Sequence, residues 1–549
     1  MKKDKKRKKR RILKFVILPI LLLLLLLSLF CIYFLPTLPK NKNVVLTQKQ
    51  TVGENIYTVG NSWILKNRYG LWEMYVDGNN LERGNRIGAL SQDLIIKQED
   101  AFVRQIEEML PNKFASRFLR FGASVYNRNL GKYIPEENKE EIYAISQYAS
   151  HNHGRIGNNY QRMMNYHSAR DIMRFSGSSA LGVWNEKTPD GSLLIGRNFD
   201  FYAGDRFSED KILLFVNPSK GYKHATITWG GMVGVVSGMN EKGLAVVLNA
   251  APSKIPISSA TPASIVAREI LQYAKNIKEA VAIAEKNKIF ISEQFLIGSA
   301  EDNKMVSIEK TKNEQIVYSS RGSFLASTNH FQSEKLFDKD AKEKTASGYR
   351  MDRINELVDS TSVFLPEDMV ALLRDKKGLN GKDIGLGNQK SINQLIAHHG
   401  VVFHPATKTM WVSTYPYQDG AFVAYNLDYV FNNAGKFNKQ GYSMSEQNIA
   451  ADSVFISNEL YKYYSYKNII NTPFSELNIK DYGDVDAIIK LNRESFSIYE
   501  YMGDYNFYKE DIKAARMWYG WALIKEIPTE KQRQKLKEKL KEIEKTLDL

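Results

Sequence analysis

Phe175-Ser-Gly-Ser-Ser-Ala-Leu-Gly-Val-Trp-Asn-Glu-Lys-Thr-Pro-Asp-Gly-Ser-Leu-Leu-Ile-Gly-Arg-Asn-Phe-Asp-Phe-Tyr202 decides how this chain is read. Two apolar runs, Ala180–Trp184 and Leu193–Asp200, flank Thr188-Pro-Asp-Gly191. Proline presets its φ for a tight turn and glycine accepts a positive φ, so the pattern predicts a β-hairpin bent at Pro189 and Asp190. Counting outward from that bend sets Ser178 across from a position at about residue 201. Arg197 and Asp200 are then carried to Ser178, and a hydroxyl, a cation and a carboxylate meet at the mouth of one hairpin. On spacing alone the stretch also suits an ordinary hairpin with a polar end, so the rest of the chain has to decide.

Further strands are expected at Ala225–Trp229, Val233–Ser237, Leu244–Asn249, Met305–Glu309, Ile316–Ser319, Val401–Phe403, Met410–Thr414 and Phe422–Asn426. Turns at Asn240-Glu-Lys-Gly243 and His404-Pro-Ala-Thr-Lys-Thr409 join neighbours, which implies antiparallel sheets. Helical periodicity at Pro262–Tyr273, Ile277–Lys288, Gly348–Asp359 and Pro366–Arg374 makes the class α+β, with helices covering the sheets. The stretch before Ser178 reads as mainly helical, with apolar spacing over Leu94–Leu110 and Glu137–Ser150. The chain from Asp504 onward is helical too, ending in a charged run, Lys531 to Lys545, that reads as a solvated amphipathic helix.

Several chemistries find no support. No Gly-x-Ser-x-Gly elbow, HExxH or P-loop occurs, and the lone cysteine, Cys31, stands in an apolar run, so the body has neither a thiol nucleophile nor thiolate metal ligands. His151-Asn-His153 and His398-His399 are the only close histidine pairs. Neither comes with acidic ligands at helical spacing, and both read as surface or loop residues. No metal or other cofactor is expected.

The hairpin stretch resembles the Cys-Ser-Ala-Phe-x-x-Trp-Gly-x-x-Thr-x-Asp-Gly-x-x-x-x-Gly-Arg-Asn-x-Asp pattern of the penicillin acyltransferase-like hydrolases. These autoproteolytic enzymes belong to the N-terminal nucleophile (Ntn) hydrolases and are related to choloylglycine hydrolase and acid ceramidase. In register, Ser178 stands in place of the nucleophilic cysteine, and Thr188, Asp190, Gly191, Gly196, Arg197, Asn198 and Asp200 match. Asp77–Gly88 is similar to the family's early Arg-Gly-x-x-x-Gly segment, and Ser237–Ala245 to its central turn. Ser327-Thr-Asn-His-Phe331 resembles its Thr-Asn-His segment, followed by Ser347-Gly-Tyr-Arg350. The similarity runs over roughly residues 70 to 430 in the family's order.

That resemblance implies an αββα four-layer Ntn-hydrolase core whose chain breaks itself between Gly177 and Ser178. A hydroxyl is a weak nucleophile, but the break frees an α-amino group of pKa about 8 that can accept its proton. Serine in place of cysteine keeps this logic. The reaction implied is attack on an amide carbonyl, an acyl-ester intermediate, then hydrolysis or transfer. Asp200 would hold the new amino group and Arg197 would stabilise charge near the nucleophile. Asn249 would donate to the oxyanion with Asn329 nearby, and Arg350 would be a supporting cation, with Arg353 competing for that place. N-acyl amino acids, β-lactam side chains, bile-acid conjugates and lipid amides all stay open as small-molecule or lipid-like substrates. A tethered binding protein that keeps the fold without catalysis is the alternative.

The 549 residues suffice for two or three folded units, and 43% hydrophobic with 25% charged residues describes a folded protein. Of the net charge of +15, +8 sits in the first eleven residues, where nine cations face only Asp4, so nucleic-acid binding loses its main support. Ile12 to Leu35 is apolar enough to span a bilayer, and the cluster before it would stay in the cytoplasm, placing the catalytic body outside. The expected organisation is a basic tail (1–11), an anchor (12–35), a tether (36–50), a mainly helical pro-segment (51–177), the core (178–440) and a helical extension (441–549). The cleaved pieces are expected to stay together.

Overall fold

The computed structural model describes residues 38–109, 129–154, 157–173, 177–202, 204–253, 259–479 and 482–547. The basic tail and the anchor at 12–35 lie outside them, and among the described residues no helix is long and apolar enough to cross a membrane.

Among the described residues, seventeen strands form two sheets. The larger uses β1 (Gln50–Gly53), β2 (Ile56–Val59), β3 (Ser62–Lys66), β4 (Trp72–Gly78), β7 (Ile212–Pro218), β8 (His224–Thr228), β9 (Ser237–Asn240), β10 (Leu244–Ala250), β11 (Glu293–Ser299), β12 (Lys304–Lys310) and β13 (Gln315–Tyr318), in that order. The smaller has the order β14 (Phe324–Ser327), β5 (Ser179–Val183), β6 (Leu194–Asp200), β15 (Ala397–His404), β16 (Thr409–Ser413) and β17 (Phe422–Asn426).

Successive strand residues point to opposite faces, so each strand feeds two cores. Ala245 and Val247 of β10 join Ala180, Ile195, Val401 and Val412 of the smaller sheet in a core between the sheets. Leu244, Val246 and Leu248 turn outward instead, beneath α4 (Ala263–Tyr273) and α5 (Ile277–Lys286). The same outer side at β3 and β4 is covered by α1 (Asn80–Met109), α2 (Glu136–Ser146) and α3 (Asn159–Met173). Leu181, Leu194 and Val402 face α6 (Ala346–Ser360) and α7 (Pro366–Leu373). Helix, sheet, sheet, helix is the four-layer arrangement that the resemblance implies.

The hairpin of β5 and β6 forms with a slightly different register. Ser179 pairs with Asn198 and Val183 with Leu194, and the Gly177 N–H donates to the Asp200 carbonyl at 3.2 Å. Ser178 therefore falls opposite Phe199 rather than residue 201. The connection is not a minimal turn: Asn185–Lys187 makes a 3₁₀ turn, and the bend centres one residue earlier than the proline suggests.

Among the described residues, the segment before Ser178 carries α1, α2 and α3 from Asn80 onward but opens with four strands, and this departs from the expectation of a mainly helical pro-segment. One of them, β4, runs parallel to β7 in the interior of the larger sheet, Trp72 beside Ile212 and Gly78 beside Pro218. Its first five residues are buried. Over those five residues both faces are covered, Glu73 included, so no solvent-facing side marks the strand. The expected strand at Val233–Ser237 is also displaced, since regular pairing begins only at Ser237. Gly234 sits where a Cβ would lie 2.5 Å from the Ser264 hydroxyl, so that stretch is shaped by packing on α4.

The extension includes α8 (Leu460–Asn471), α9 (Tyr482–Leu491), α10 (Phe496–Tyr508), α11 (Ile512–Leu523) and α12 (Glu530–Thr546), which share an apolar cluster with Leu395 and Tyr417 of the core. Leu536 and Ile543 of α12 are buried there. The charged terminal run is thus a packed helix rather than a merely solvated one.

Candidate active site

The Gly177–Ser178 peptide lies just before β5, where the end of β6, the end of β10, the loop after β14, α6 and the loop before β15 converge. Each element delivers one polar group. Ser178 is wholly buried, and its Oγ has no hydrogen-bond partner among the described residues. The Gly177 carbonyl accepts from two donors, Arg350 Nη1 and Gln394 Nε2, the latter at 2.6 Å. Arg350 Nη1 also reaches the Ser178 carbonyl at 2.8 Å and Ser179 Oγ at 2.9 Å, and its Nη2 donates to Asn329 Oδ1 at 2.7 Å. Asn329 Nδ2 in turn donates to the Ala250 carbonyl at 2.9 Å.

Asp200 closes the other side. Gln394 Nε2 donates to its Oδ2 at 3.0 Å, and Oδ1 has no partner among the described residues. Burial pushes the Asp200 carboxyl up to about 7, against the pull of Arg350 and Arg197. Burial also lowers Arg350 to about 10, with the Asp200 charge opposing.

Of the residues expected from sequence, Ser178, Asp200, Arg350 and Asn329 come together directly. Arg350 lies at the Gly177–Ser178 peptide, whereas Arg353 faces away to pair with Asp375 at 2.8 Å and Glu356 at 3.1 Å. Arg197 reaches across between the sheets. Its guanidinium crosses from β6 to the larger sheet and donates to the carbonyls of Val236, at 3.2 Å, and Leu248, and to Ser237 Oγ. It ties the sheets together and acts on Asp200 through its charge. Asn249, at the end of β10, donates from Nδ2 to Ser327 Oγ at 3.1 Å and to the Ser327 carbonyl at 3.3 Å. Its Oδ1 has no partner among the described residues, and no hydrogen bond joins it to the Gly177 carbonyl.

Gly177 has a different reason from the one its type suggests. Its φ is not positive, but a Cβ there would lie 2.5 Å from both Gln394 Nε2 and Oε1. Glycine is needed for close approach, not for a strained backbone. Gln394 itself was missed. It belongs to no motif, and only the pairing of β15 with β6 brings it to Ser178.

The histidine pair also departs from expectation. His398 and His399 are buried on β15, with their Nδ1 atoms 2.9 Å apart and His399 Nε2 2.8 Å from Ser237 Oγ. Burial and neighbouring cations hold both well below the ordinary imidazole range, hence neutral. They lie among Phe199, Phe207 and Trp229 as part of the core. His153 does sit near the surface, 2.7 Å from Asp100. Among the described residues no three side chains cluster as metal ligands.

A cavity of about 530 Å³ opens over Gly177 and Arg350. Tyr202, Ala251, Pro252 and Ile396 give it apolar walls, and Thr529 of the extension completes one side. Arg350 is the single charged residue of its lining among the described residues.

Comparison with known proteins bears out the family resemblance over the central segment. Residues 184–414 match the family described as Acyl-coenzyme A:6-aminopenicillanic acid acyl-transferase. An uncharacterized protein of Archaeoglobus fulgidus is 23% identical over 255 residues, which cover 42% of this chain and 41% of that protein, so the match spans less than half of the relative's length. Among solved structures, the N-acylethanolamine-hydrolyzing acid amidase ortholog of Caenorhabditis elegans is 17% identical, covering 42% of this chain and 93% of that one, with a TM-score of 0.32. The R18L variant of conjugated bile acid hydrolase from Clostridium perfringens is 13% identical, covering 50% and 98%, with a TM-score of 0.31.

Proposed function

We propose that this chain is an acyl-amide hydrolase or acyltransferase of the N-terminal nucleophile type, matured by breaking its own Gly177–Ser178 bond. One observation carries the reading: the carbonyl before Ser178 is gripped by Arg350 and Gln394 beside a carboxylate and a serine hydroxyl that has no partner among the described residues. An ordinary buried peptide needs no such arrangement.

In the first step Ser178 Oγ attacks the Gly177 carbonyl carbon, and its proton passes to Asp200. The tetrahedral intermediate collapses with loss of the C–N bond, and Asp200 returns the proton to the departing nitrogen. Gly177 is left as an ester on Ser178, beside a free α-amino group. Water hydrolyses that ester, leaving a carboxylate on Gly177 and an amino-terminal Ser178. Thereafter the α-amino group serves as the base, Asp200 holds it, and Ser178 attacks an external amide. The amine leaves, and water or a second amine takes the acyl group from the ester. The family resemblance gives Asn249 as the donor to the oxyanion of this external reaction, for which its Nδ2 would turn from Ser327 to the substrate.

The cavity offers an acyl group apolar contact on Tyr202, Ala251, Pro252 and Ile396 and polar contact on Arg350, Asn329 and Gln389. With an anchor at residues 12–35, such a body would work at the outer face of a membrane on N-acyl amides. A p-nitrophenyl ester of a medium-chain fatty acid tests the acyl-transfer reading. Acylation mapped by mass spectrometry to Ser178 of the cleaved protein, and absent from Ser178→Ala, is expected. Labelling elsewhere, or equal labelling of the variant, would contradict it.

A further inference from the structure

The Gln394 carboxamide nitrogen has two acceptors, the Gly177 carbonyl at 2.6 Å and Asp200 Oδ2 at 3.0 Å. An NH₂ group has two hydrogens, and both are spent on the groups that react in self-cleavage. The opposite orientation of the carboxamide would set its oxygen against two acceptors. On this geometry, and resting on the self-cleavage reading above, we infer that Gln394 is a catalytic residue of the maturation step. One hydrogen stabilises the Gly177 oxyanion, and the other holds Asp200 at the scissile bond.

As Ser178 attacks, the Gly177 carbonyl oxygen takes up negative charge. Donors already in place then strengthen without rearranging, and removal of one such donor typically slows acyl transfer by about 100-fold or more. Arg350 Nη1 is the second donor to the same oxygen. The pair forms an oxyanion hole for the chain's own peptide, separate from Asn249, which is turned to Ser327.

The loop carrying Gln394 is built to hold it. Leu395 adopts φ of 54°, a left-handed conformation that is costly for a branched side chain. Two sets of contacts stabilise it. The Leu395 N–H donates to Asn393 Oδ1 at 3.0 Å, and Asn393 Nδ2 donates to both carboxylate oxygens of Asp419, at 3.2 and 3.0 Å. The Leu395 side chain is buried in the apolar cluster of the extension. The extension thereby positions a residue of the cleavage site, although it lies outside the family match.

The test is the rate at which full-length protein is lost and a chain starting at Ser178 appears, followed by mass spectrometry. Wild type, Gln394→Glu and Gln394→Ala are compared, each checked for folding by gel filtration and thermal melting. Both variants should cleave about 100-fold more slowly or worse. Hydroxylamine, which cuts esters, should not restore either, because the block precedes the ester. Should the alanine variant fail to fold, the nearly isosteric glutamate carries the test. Cleavage of the folded variants at the wild-type rate, or rescue by hydroxylamine, would overturn the assignment. An uncleaved wild type would instead overturn the self-cleavage reading on which it rests.

Discussion

Asp200 is a carboxylate kept from water, and its titration becomes a prediction. Burial pushes it up to about 7 in the uncleaved chain. As acceptor of the Ser178 proton it must be unprotonated, so below that value the active fraction falls about tenfold per pH unit, and above it the rate levels off. Self-cleavage followed from about pH 5 to about pH 9 should rise through neutrality, and Asp200→Asn should be slow and lose the rise. A rate that falls as pH increases would show that Asp200 is not the acceptor. A second prediction separates the two oxyanion sites. Asn249→Ala should cleave itself as wild type does, since Asn249 does not touch the Gly177 carbonyl, yet turn over external amides about a hundredfold more slowly. Impaired self-cleavage in that variant would merge the sites. Much of this was legible in the sequence, because Ser178, Arg197 and Asp200 share one hairpin. Arg350 and Arg353 were not separable, being three residues apart on one helix face. Gln394 was invisible, because its nearness to Ser178 is a long-range product of strand pairing.

Elements were legible where a turn signal flanks them rather than where they alternate. β6, β10 and β16, read beside the turns at Thr188–Gly191, Asn240–Gly243 and His404–Thr409, are buried on both faces almost throughout, as are β7, β11 and the first five residues of β4. The approach of β5 to the loop before β15 is tight enough to test by one methyl group. Gly177→Ala would place a Cβ 2.5 Å from the Gln394 carboxamide, and something must shift. Self-cleavage should slow by at least about tenfold through loss of the aligned donor. Because the clash is with Gln394 itself, the two changes should not add, and Gly177→Ala with Gln394→Ala should cleave no more slowly than Gln394→Ala alone. Full additivity would mean that the methyl group acts elsewhere.

The whole molecule does not divide at the bond it would break. The sequence suggested a pro-segment followed by a core, but β4 and β7 lie on opposite sides of that bond and pair along their full length. Trp63 Nε1 donates to the Ala434 carbonyl at 2.8 Å, and the Tyr442 N–H donates to Glu73 at 2.9 Å. Arg83 of α1 and Arg268 of α4 share Glu141 of α2 in a buried cluster. Freeing the first piece would expose Met74, Tyr75 and Val76 among others, at about 1.5–3 kcal/mol for each large apolar side chain, and would part Arg268 from Glu141, which stays with Arg83 on the first piece. After cleavage the two pieces should therefore elute together from gel filtration and part only in denaturant. Separation in native buffer would contradict this packing.

The central claim stands on the Gly177–Ser178 bond, and the most direct measurement is the amino terminus of the purified, folded protein after prolonged incubation near neutral pH. In wild type, sequencing and intact mass should find a chain that begins at Ser178 beside one that ends at Gly177. The Ser178→Ala protein should remain a single chain. A folded wild type that stays intact, or a Ser178→Ala protein cut at the same bond, would contradict the account.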